Sequence, residues 1–578
     1  MASFVDLLDT VWDKGPLLAV AGISAHLFYW SRGERSAKEG RVWVYANHIV
    51  NTLALLTIIN HHGTWTSIYA WTLGISTISI LNLCFYIPLF ASILIYRAFF
   101  HRLHQFPGPF SLKLSKFVTS YNNLSKNRNF ERVWNLHKQY GDIVRTGPQE
   151  LSILSADAID IIYGPSSKCT RGPWYDRLKG SGDFTHDYAI FHMRDPVVHA
   201  KRRKALWDKV FSGRALKSYQ LMVIRTTEKF LDALAQRSNE PLTIPSTMQL
   251  LSYDIMGVVG WGHSFNNIER WELNPSLHFI KNIRAGQHVM VHTPWLISLL
   301  MSLPGAGGAI REYGTWIQHR IHEKRQQAER NEVPGEDIMT RMLPSMRDLS
   351  EKALYSEGEL LVIAGGDTSS VTISVIIYHL ARNPSLQRKL QAELDAATAK
   401  RQTELPPPTE LPEDTYYRSI SSLPYLNACV NEALRIQPPV HGGVQRKTPP
   451  EGIYIPNDQG TSTFIPGDTL VSVPTLPIQN DPRYHRHPGE FVPERWTDEK
   501  PEWIINKAAY IPFQCGAYSC VGKGLAYSEL RVVVAMLFGR FDVRLAEGED
   551  GRRFQEETVD TFVATLGDLR VVFSERAG

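Results

Sequence analysis

From Trp43 to Tyr96 the sequence contains no Asp, Glu, Lys or Arg. A stretch that long without charge would expose a large apolar surface if left in water, which argues against a pair of ordinary globular helices. Cysteine is scarce as well. Five are present in 578 residues (Cys84, Cys169, Cys429, Cys515 and Cys520), odd in number and scattered. This excludes the dense paired framework of a small secreted protein and favours a reducing compartment. Nor is there an excess of one charge sign. Lys and Arg total 62 against 58 Asp and Glu, so a net charge of +4 is spread over a large surface and no nucleic-acid partner is indicated. There is no internal repeat and no low-complexity tract. The length exceeds one ordinary domain, although a large, intimately packed enzyme domain remains compatible with it.

The uncharged region carries two apolar blocks, "WVYANHIVNTLALLTIIN" and "SIYAWTLGISTISILNLCFYIPLFASILIY". Either can cross a bilayer, for which about 20 mostly apolar residues suffice. A shorter block, Gly15 to Trp30, precedes them and includes His26. The acidic start (Asp6, Asp9, Asp13) disfavours a cleaved signal peptide. Arg32, Arg35, Lys38 and Arg41 follow the first block, and Arg97, Arg102, Lys113 and Lys116 follow the last; the loop "HHGTWTS" between the other two is uncharged. The positive-inside rule then calls for three crossings, with the N-terminus in the lumen of the endoplasmic reticulum and the remainder in the cytosol. Two crossings result if the short block lies along the interface. "FPGPF" at 106–110 fixes the backbone and reads as a stiff hinge. Residues 1–105 are therefore expected to be an anchor embedded in membrane lipid, and 111–578 a soluble domain.

After the hinge, "FERVWNLHKQYGDIVRTGPQELSILS" passes from a helical apolar period into alternation around Ile143, Val144, Leu151 and Leu154, a helix feeding a strand pair. Residues 156–400 read as mainly helical. Loops are expected near Glu329 ("ERNEVPGED") and from Arg401 ("RQTELPPPTELPEDTYYR"). Short strands follow in "GIYIP", "TLVSVP", "TFVATL" and "LRVVF". The expected fold class is mainly α with a smaller β portion.

Chemistry concentrates in "FQCGAYSCVG", Phe513 to Gly522. Cys520 precedes an apolar helix, and the N–H groups and dipole of a helix N-terminus favour a thiolate. A zinc site needs about four ligands, and no second pair with suitable spacing lies nearby. One thiolate holding heme iron needs only a tight loop and an apolar face. At this point the chain resembles the cytochrome P-450 superfamily, whose cysteine loop has the spacing of Phe513, Gly516, Cys520 and Gly522, with Ala526 following. The resemblance implies that Cys520 is the metal ligand and Cys515 a passenger. It also marks a departure: Tyr518 stands where the family usually has Arg or His to bond a heme propionate.

Four further motifs carry the resemblance. "NEALR" and "FVPERW" supply Glu432, Arg435 and Arg495, which in the family form a buried network behind the heme. "AGGDTSS" places Asp367 and Thr368 where the distal helix is distorted at the oxygen site and an acid and an alcohol relay protons; the plainer reading is a kink with Thr368 bonded back one turn. "HAKRRKALW" places His199 and Arg203 at the propionate-binding positions.

The resemblance implies a membrane-bound heme-thiolate monooxygenase with heme b as cofactor, O2 and an apolar small molecule as substrates, and an NADPH-dependent flavoprotein reductase as partner, drawn to a basic surface around Arg203, Lys523 and Arg531. It looks most like fungal enzymes of specialised metabolism, making alkaloids, terpenoids or polyketides. Two alternatives stand beside it: oxidative coupling, dehydration or rearrangement on the same fold, and a non-enzymatic membrane heme carrier or sensor. Pocket walls are expected at Phe184 to Phe191, Val362 to Gly366, Val440 to Val444 and Phe562 to Leu566.

Overall fold

Apolar length without charge produces helix first. In the computed structural model, which describes residues 2–31, 37–62, 65–125, 127–176, 188–278, 293, 308–330, 336–347, 349–403, 412–457 and 460–576, the chain begins with α1 (Ala2–Ala25, continuing in a wider turn to Trp30), α2 (Ala37–His62) and α3 (Ile68–Ile95, continuing to Phe100). Ser67 caps α3 by accepting from the Ala70 amide at 3.3 Å. The contacts fix the directions. Gly22 of α1 lies against the backbone of α3, where a Cβ would come within 2.3 Å of the Phe85 carbonyl oxygen, and one turn on His26 bonds Ser92 at 2.7 Å. Hence α1 runs parallel to α3. Asn51 of α2 meets Asn82 at 3.0 Å, while Leu55 covers Gly74, so α2 runs antiparallel to α3.

Val42–His61 and Ile68–Phe100 are long and apolar enough to cross a membrane and are scarcely covered by the rest of the protein. Among the described residues the third helix that qualifies by length and apolarity is Glu351–Arg382, and this one is mostly buried in the soluble part. Hydropathy therefore supports two spans. The case for the first block rests on its packing.

The joint between anchor and soluble part is tied down. Strand β1 (Ile143–Gly147) contributes Arg145, fully buried, whose guanidinium donates to the carbonyls of Arg97, Leu103, Gly147 and Pro148 at 2.8–3.4 Å. Its amide donates to the Pro107 carbonyl at 2.7 Å. A Cβ on Gly108 would meet the Arg145 carbonyl oxygen at 2.4 Å, so only glycine permits the approach. Proline removes donors from "FPGPF"; the Arg145 amide answers the Pro107 carbonyl, and the Leu112 and Lys113 amides answer that of Pro109.

β1 pairs antiparallel with β2 (Glu150–Ile153), as the alternation predicts. The remaining strands are β3 (Thr170–Arg171), β4 (Pro241–Thr243), β5 (Arg446–Lys447), β6 (Ile453–Pro456), β7 (Ser462–Ile465), β8 (Leu470–Ser472), β9 (Phe541–Leu545) and β10 (Arg570–Glu575). They form sheets in the order β1-β2-β8-β5-β3, β4-β10-β9 and β6-β7. "TFVATL" is not a strand; Val559 and Thr565 make an isolated bridge, and the turn between them is built around a left-handed Phe562. Pro412–Ser421, expected as loop, is helical, while 404–411 and 331–335 lie outside the described residues.

The helix Glu351–Arg382 is the core element, packed on Ile244–Trp261 and on Lys523–Arg540. Its glycines serve that packing. A Cβ on Gly365 would strike Met256 Sδ at 2.2 Å, and one on Gly366 the Tyr253 ring at 2.7 Å. The helix is α-helical throughout, which corrects the expected distortion: the glycines admit a neighbour and do not break the helix.

We predict that Arg145→Met, which keeps the apolar stem but removes the donors, will expose the joint. Trypsin should then cut after Arg97 or Arg102 several-fold faster in the full-length protein, whereas an unchanged rate would mean that the prolines alone hold it.

Candidate functional site

The two loop cysteines have different surroundings. Cys515 is half-buried against the apolar cluster that contains Ile162, Tyr163 and Ile511. Cys520 is exposed, with the Gly522 and Lys523 amides beside its sulfur. Burial raises its thiol above the ordinary value, while the Gly522 and Lys523 amides and the charges of Arg203 and Lys523 favour the anion. Gly516 has φ +67°, and a Cβ there would also strike the Tyr163 carbonyl oxygen at 2.2 Å, so the turn demands glycine twice. At Gly522 the requirement is different. Its φ is −81°, and the nearest neighbour of a Cβ would be Cys520 Sγ at 3.9 Å, so a side chain would fill the space beside the sulfur. The Phe513 carbonyl accepts from the Cys520 amide at 2.9 Å and closes the loop.

Opposite surfaces of Glu351–Arg382 behave differently. Gly365 and Gly366 admit Ile244–Trp261, whereas Ala364 is exposed and Thr368, one turn on, is half-buried. Thr368 Oγ1 donates to the Ala364 carbonyl at 2.9 Å, the plain back-bond expected of a helical threonine. Asp367 is buried. Ser369 donates to Glu529 at 2.7 Å and ties this helix to the one that begins beside Cys520.

Positive charge gathers around Tyr518. The Arg171 and Arg446 guanidiniums lie 4.5 and 4.8 Å from its ring centre, and the His199 ring lies 4.6 Å away. Arg171 donates to the carbonyls of Ile190 and Met193, and Arg446 to Tyr175 and the Gln445 carbonyl. Neither is paired with a carboxylate among the described residues, and the Nε atoms of both and the Tyr518 hydroxyl are buried without a partner. Burial pulls Arg171 down to about 10. His199 is pulled down to about 3, by burial first and then by Arg171, Arg203 and Arg446. Arg203 bonds the Ala517 and Ser519 carbonyls at 3.1 and 2.8 Å, bracing the cysteine loop, while Arg202 points the other way and pairs with buried Glu357 at 2.7 Å. Sequence reasoning missed Arg171 and Arg446. Each sits in a two-residue strand far from the cysteine loop, and only sheet pairing, Arg171 opposite Arg446, brings them together.

Residues 107–568 match the family described as Cytochrome P450. The chain belongs to the cytochrome P450 family. A cytochrome P450 monooxygenase, FCK2, of Fusarium pseudograminearum is 32% identical over 97% of this chain and 97% of its own length. Another, orf5 of Eupenicillium brefeldianum, is 35% identical over 85% of this chain and 95% of its own. Tryprostatin B 6-hydroxylase of Neosartorya fischeri is 31% identical over 96% and 97%. This P450 is accordingly a monooxygenase of the fungal secondary-metabolism type.

The P450 family implies a heme-thiolate iron cofactor, and the residues present fit that group. The Cys520 thiol is exposed, Gly522 keeps a side chain away from the sulfur, and two buried cations and a phenol carry donors without a protein partner. Two carboxylates of a heme would satisfy them. Of the expected pocket walls, Val440, Gly442, Gly443 and Phe562 converge on one cavity of about 210 Å³, together with Trp174, which the sequence did not single out. Val362 instead packs in the core, and 184–187 lie outside the described residues.

The Glu432 network is complete in itself. Arg435 donates to both Glu432 oxygens at 2.8 and 2.9 Å, Arg495 donates at 3.0 Å, and the Val492 amide and Trp496 indole add bonds at 2.9 Å. All three charged side chains are fully buried. Burial works to raise the Glu432 pKa, but the arginines and the Val492 amide outweigh it and hold the carboxyl below the usual range. A lowered folded pKa contributes stability that is present above the unfolded value, about 4.3, and lost as pH falls through the folded one. Glu432→Ala should therefore cost about 3 to 5 kcal/mol at neutral pH and lower the yield of heme-loaded protein. Glu432→Gln should remove this part of the acid sensitivity in urea unfolding. An acid limb identical to that of the unaltered protein would contradict the assignment.

Proposed function

We propose that this monooxygenase inserts one atom of O2 into an apolar small molecule of a specialised-metabolite pathway, and that the Cys520 thiolate would hold the iron of heme b. The observation that carries the reading is the contrast between the two loop cysteines, one packed against an apolar cluster and the other exposed at the start of a helix with amides and cations beside its sulfur. When bound, the heme supplies O2 activation with electrons delivered by a reductase. The Gly522 and Lys523 amides orient the sulfur; Tyr518, Arg171 and Arg446 would hold the propionates; His199 backs the Tyr518 ring, and Arg203 holds the loop. Phe513 and Gly516 shape the turn. Thr368 Oγ1 and the Asp367 carboxyl pass protons from the helix into that space; in this role Thr368 leaves its bond to Ala364.

The reductase would dock on the cysteine side. Arg531 is tied to Asn427 and Tyr417 and Arg203 to the loop, so the available charge there is Lys523 with Lys204, Lys209, Arg214 and Lys217, all exposed. Residues 1–105 would anchor the enzyme in the endoplasmic reticulum, with 111–578 as the cytosolic catalytic domain. Because α1 runs parallel to α3 and bonds it through His26, the packing favours three crossings.

Three measurements test this reading. The reduced carbon monoxide complex should show the thiolate-type Soret band in Cys515→Ala and lose it in Cys520→Ala; the opposite pattern sinks the assignment. Thr368→Ala should retain heme while product per NADPH falls and peroxide rises, and unchanged coupling would leave Thr368 a purely helical residue. A glycosylation acceptor fused before Met1 should be modified in membranes. An unmodified acceptor with a protease-sensitive tag on the cytosolic side would reduce the anchor to two spans.

A further inference from the structure

We propose that Glu357 is a positioning residue for the cofactor site: from the helix Glu351–Arg382 it fixes the backbone of residues 190–193, and through that segment it holds Arg171 beside Tyr518. The inference rests on the heme-thiolate reading, in which Arg171 would hold a propionate.

Glu357 lies on the same face of its helix as Ala364 and Thr368, two and three turns earlier. That face is open at Ala364 and closed at Glu357, whose side chain is fully buried. A carboxylate in such a place is costly unless its oxygens are well used. Here they are. Arg202 donates to Oε1 at 2.7 Å, the Trp207 indole to Oε2 at 3.1 Å, and the Ile190 amide to the two oxygens at 3.2 and 3.1 Å. Beside the adjacent Gly358 stand Trp261, Ile317 and Ile321, which bring no charge.

Arg171 holds the same segment from its other edge. Its Nη1 donates to the Ile190 and Met193 carbonyls at 2.6 and 3.0 Å, its Nε is buried without a partner, and its guanidinium stands 4.5 Å from the Tyr518 ring centre. Glu357 therefore sets the amide edge of 190–193, and the carbonyl edge sets Arg171. The segment is closed on β3 by Arg194, which donates to the Arg171 carbonyl at 3.1 Å and pairs with Asp176 at 2.6 Å. A second route runs through neighbouring arginines. Arg202 is pinned to Glu357, and Arg203, next to it, donates to the Ala517 and Ser519 carbonyls of the cysteine loop.

Burial raises the Glu357 carboxyl to about 7, against the pull of Arg202, the Ile190 amide and the Trp207 indole. Among the described residues Arg202 is the charged group bonded to it. On the facing segment His192 bonds the Tyr175 carbonyl, and Asp195 accepts from the Val197 and Val198 amides. Below that value the carboxyl is neutral, and Arg202 loses its anionic partner.

The test mixes heme-loaded, full-length protein in detergent with excess apomyoglobin. Heme transfer is timed across roughly pH 6 to 8, beside hydrogen exchange of the peptide 188–195. In the unaltered protein, transfer should quicken as pH falls through about 7. Glu357→Gln, which keeps the shape without the charge, should exchange faster at 188–195, release heme about tenfold faster above that pH and show no inflection. Arg202→Gln keeps the carboxyl but removes the cation that holds its pKa down, so the inflection should move to higher pH; it gives the reading where Glu357→Gln fails to fold. Unchanged exchange and heme transfer in Glu357→Gln, or a lower urea midpoint as the sole change, would overturn the proposal. An unaltered protein without the thiolate-type carbon monoxide band would overturn the heme-thiolate reading instead, and exchange at 188–195 would still report whether Glu357 holds the segment.

Discussion

Buried positive charge around Tyr518 is the constraint on which the site depends. Arg171 and Arg446 flank a phenol, with Arg203 and a neutral His199 beside it, and the described residues supply no carboxylate for the first two. An uncompensated buried charge costs several kcal/mol, so such an arrangement is stable in company with an anion and poorly stable alone. The substitution of a phenol for the family's usual cation two places before the cysteine fits this balance. Tyr518 gives up a charge but presents a face to two guanidiniums, and its hydroxyl is left as a donor.

The Glu432 network shows the opposite solution a short distance along the chain. There the protein brings its own carboxylate, surrounds it with two arginines, an indole and an amide, and spends the remaining arginine donors on carbonyls of 479–490. One cluster carries its own carboxylate; the other has none among the described residues. Both are buried, and the difference between them is whether the counter-charge is encoded in the chain.

Close backbone approach does the remaining positioning. Gly365 and Gly366 seat one helix against the core, leaving Ala364 and Thr368 on an open surface, and Gly22 and Gly108 serve the same end in the anchor and the joint. Helices α1 to α3 add polar contacts, His26 with Ser92 and Asn51 with Asn82. Arg145 bonds the last turn of α3 and the loop after it, tying these helices to β1.

Much of this was legible in the sequence because it depends on local spacing. The uncharged span, the alternation that becomes β1 and β2, the position of Cys520 in its loop and the i, i+3 placement of Glu432 and Arg435 all follow from neighbours along the chain. The predicted distortion of Glu351–Arg382 did not survive, since glycine in a helix reads as a break until the partner that needs the room is known. The strand expected in "TFVATL" became a braced turn for a similar reason: alternation marks apolar residues, whereas Asn127 and Pro439, more than a hundred residues away, decide how they are held. Arg171 and Arg446 lie in strands too short to give any periodic signal, and Trp174 in a single short turn. By itself the sequence determined the family, the long apolar helices and the β1-β2 pair. Only the tertiary structure decided which cations face the cysteine loop and which rings line the cavity, because those depend on distances between segments that the chain order leaves free.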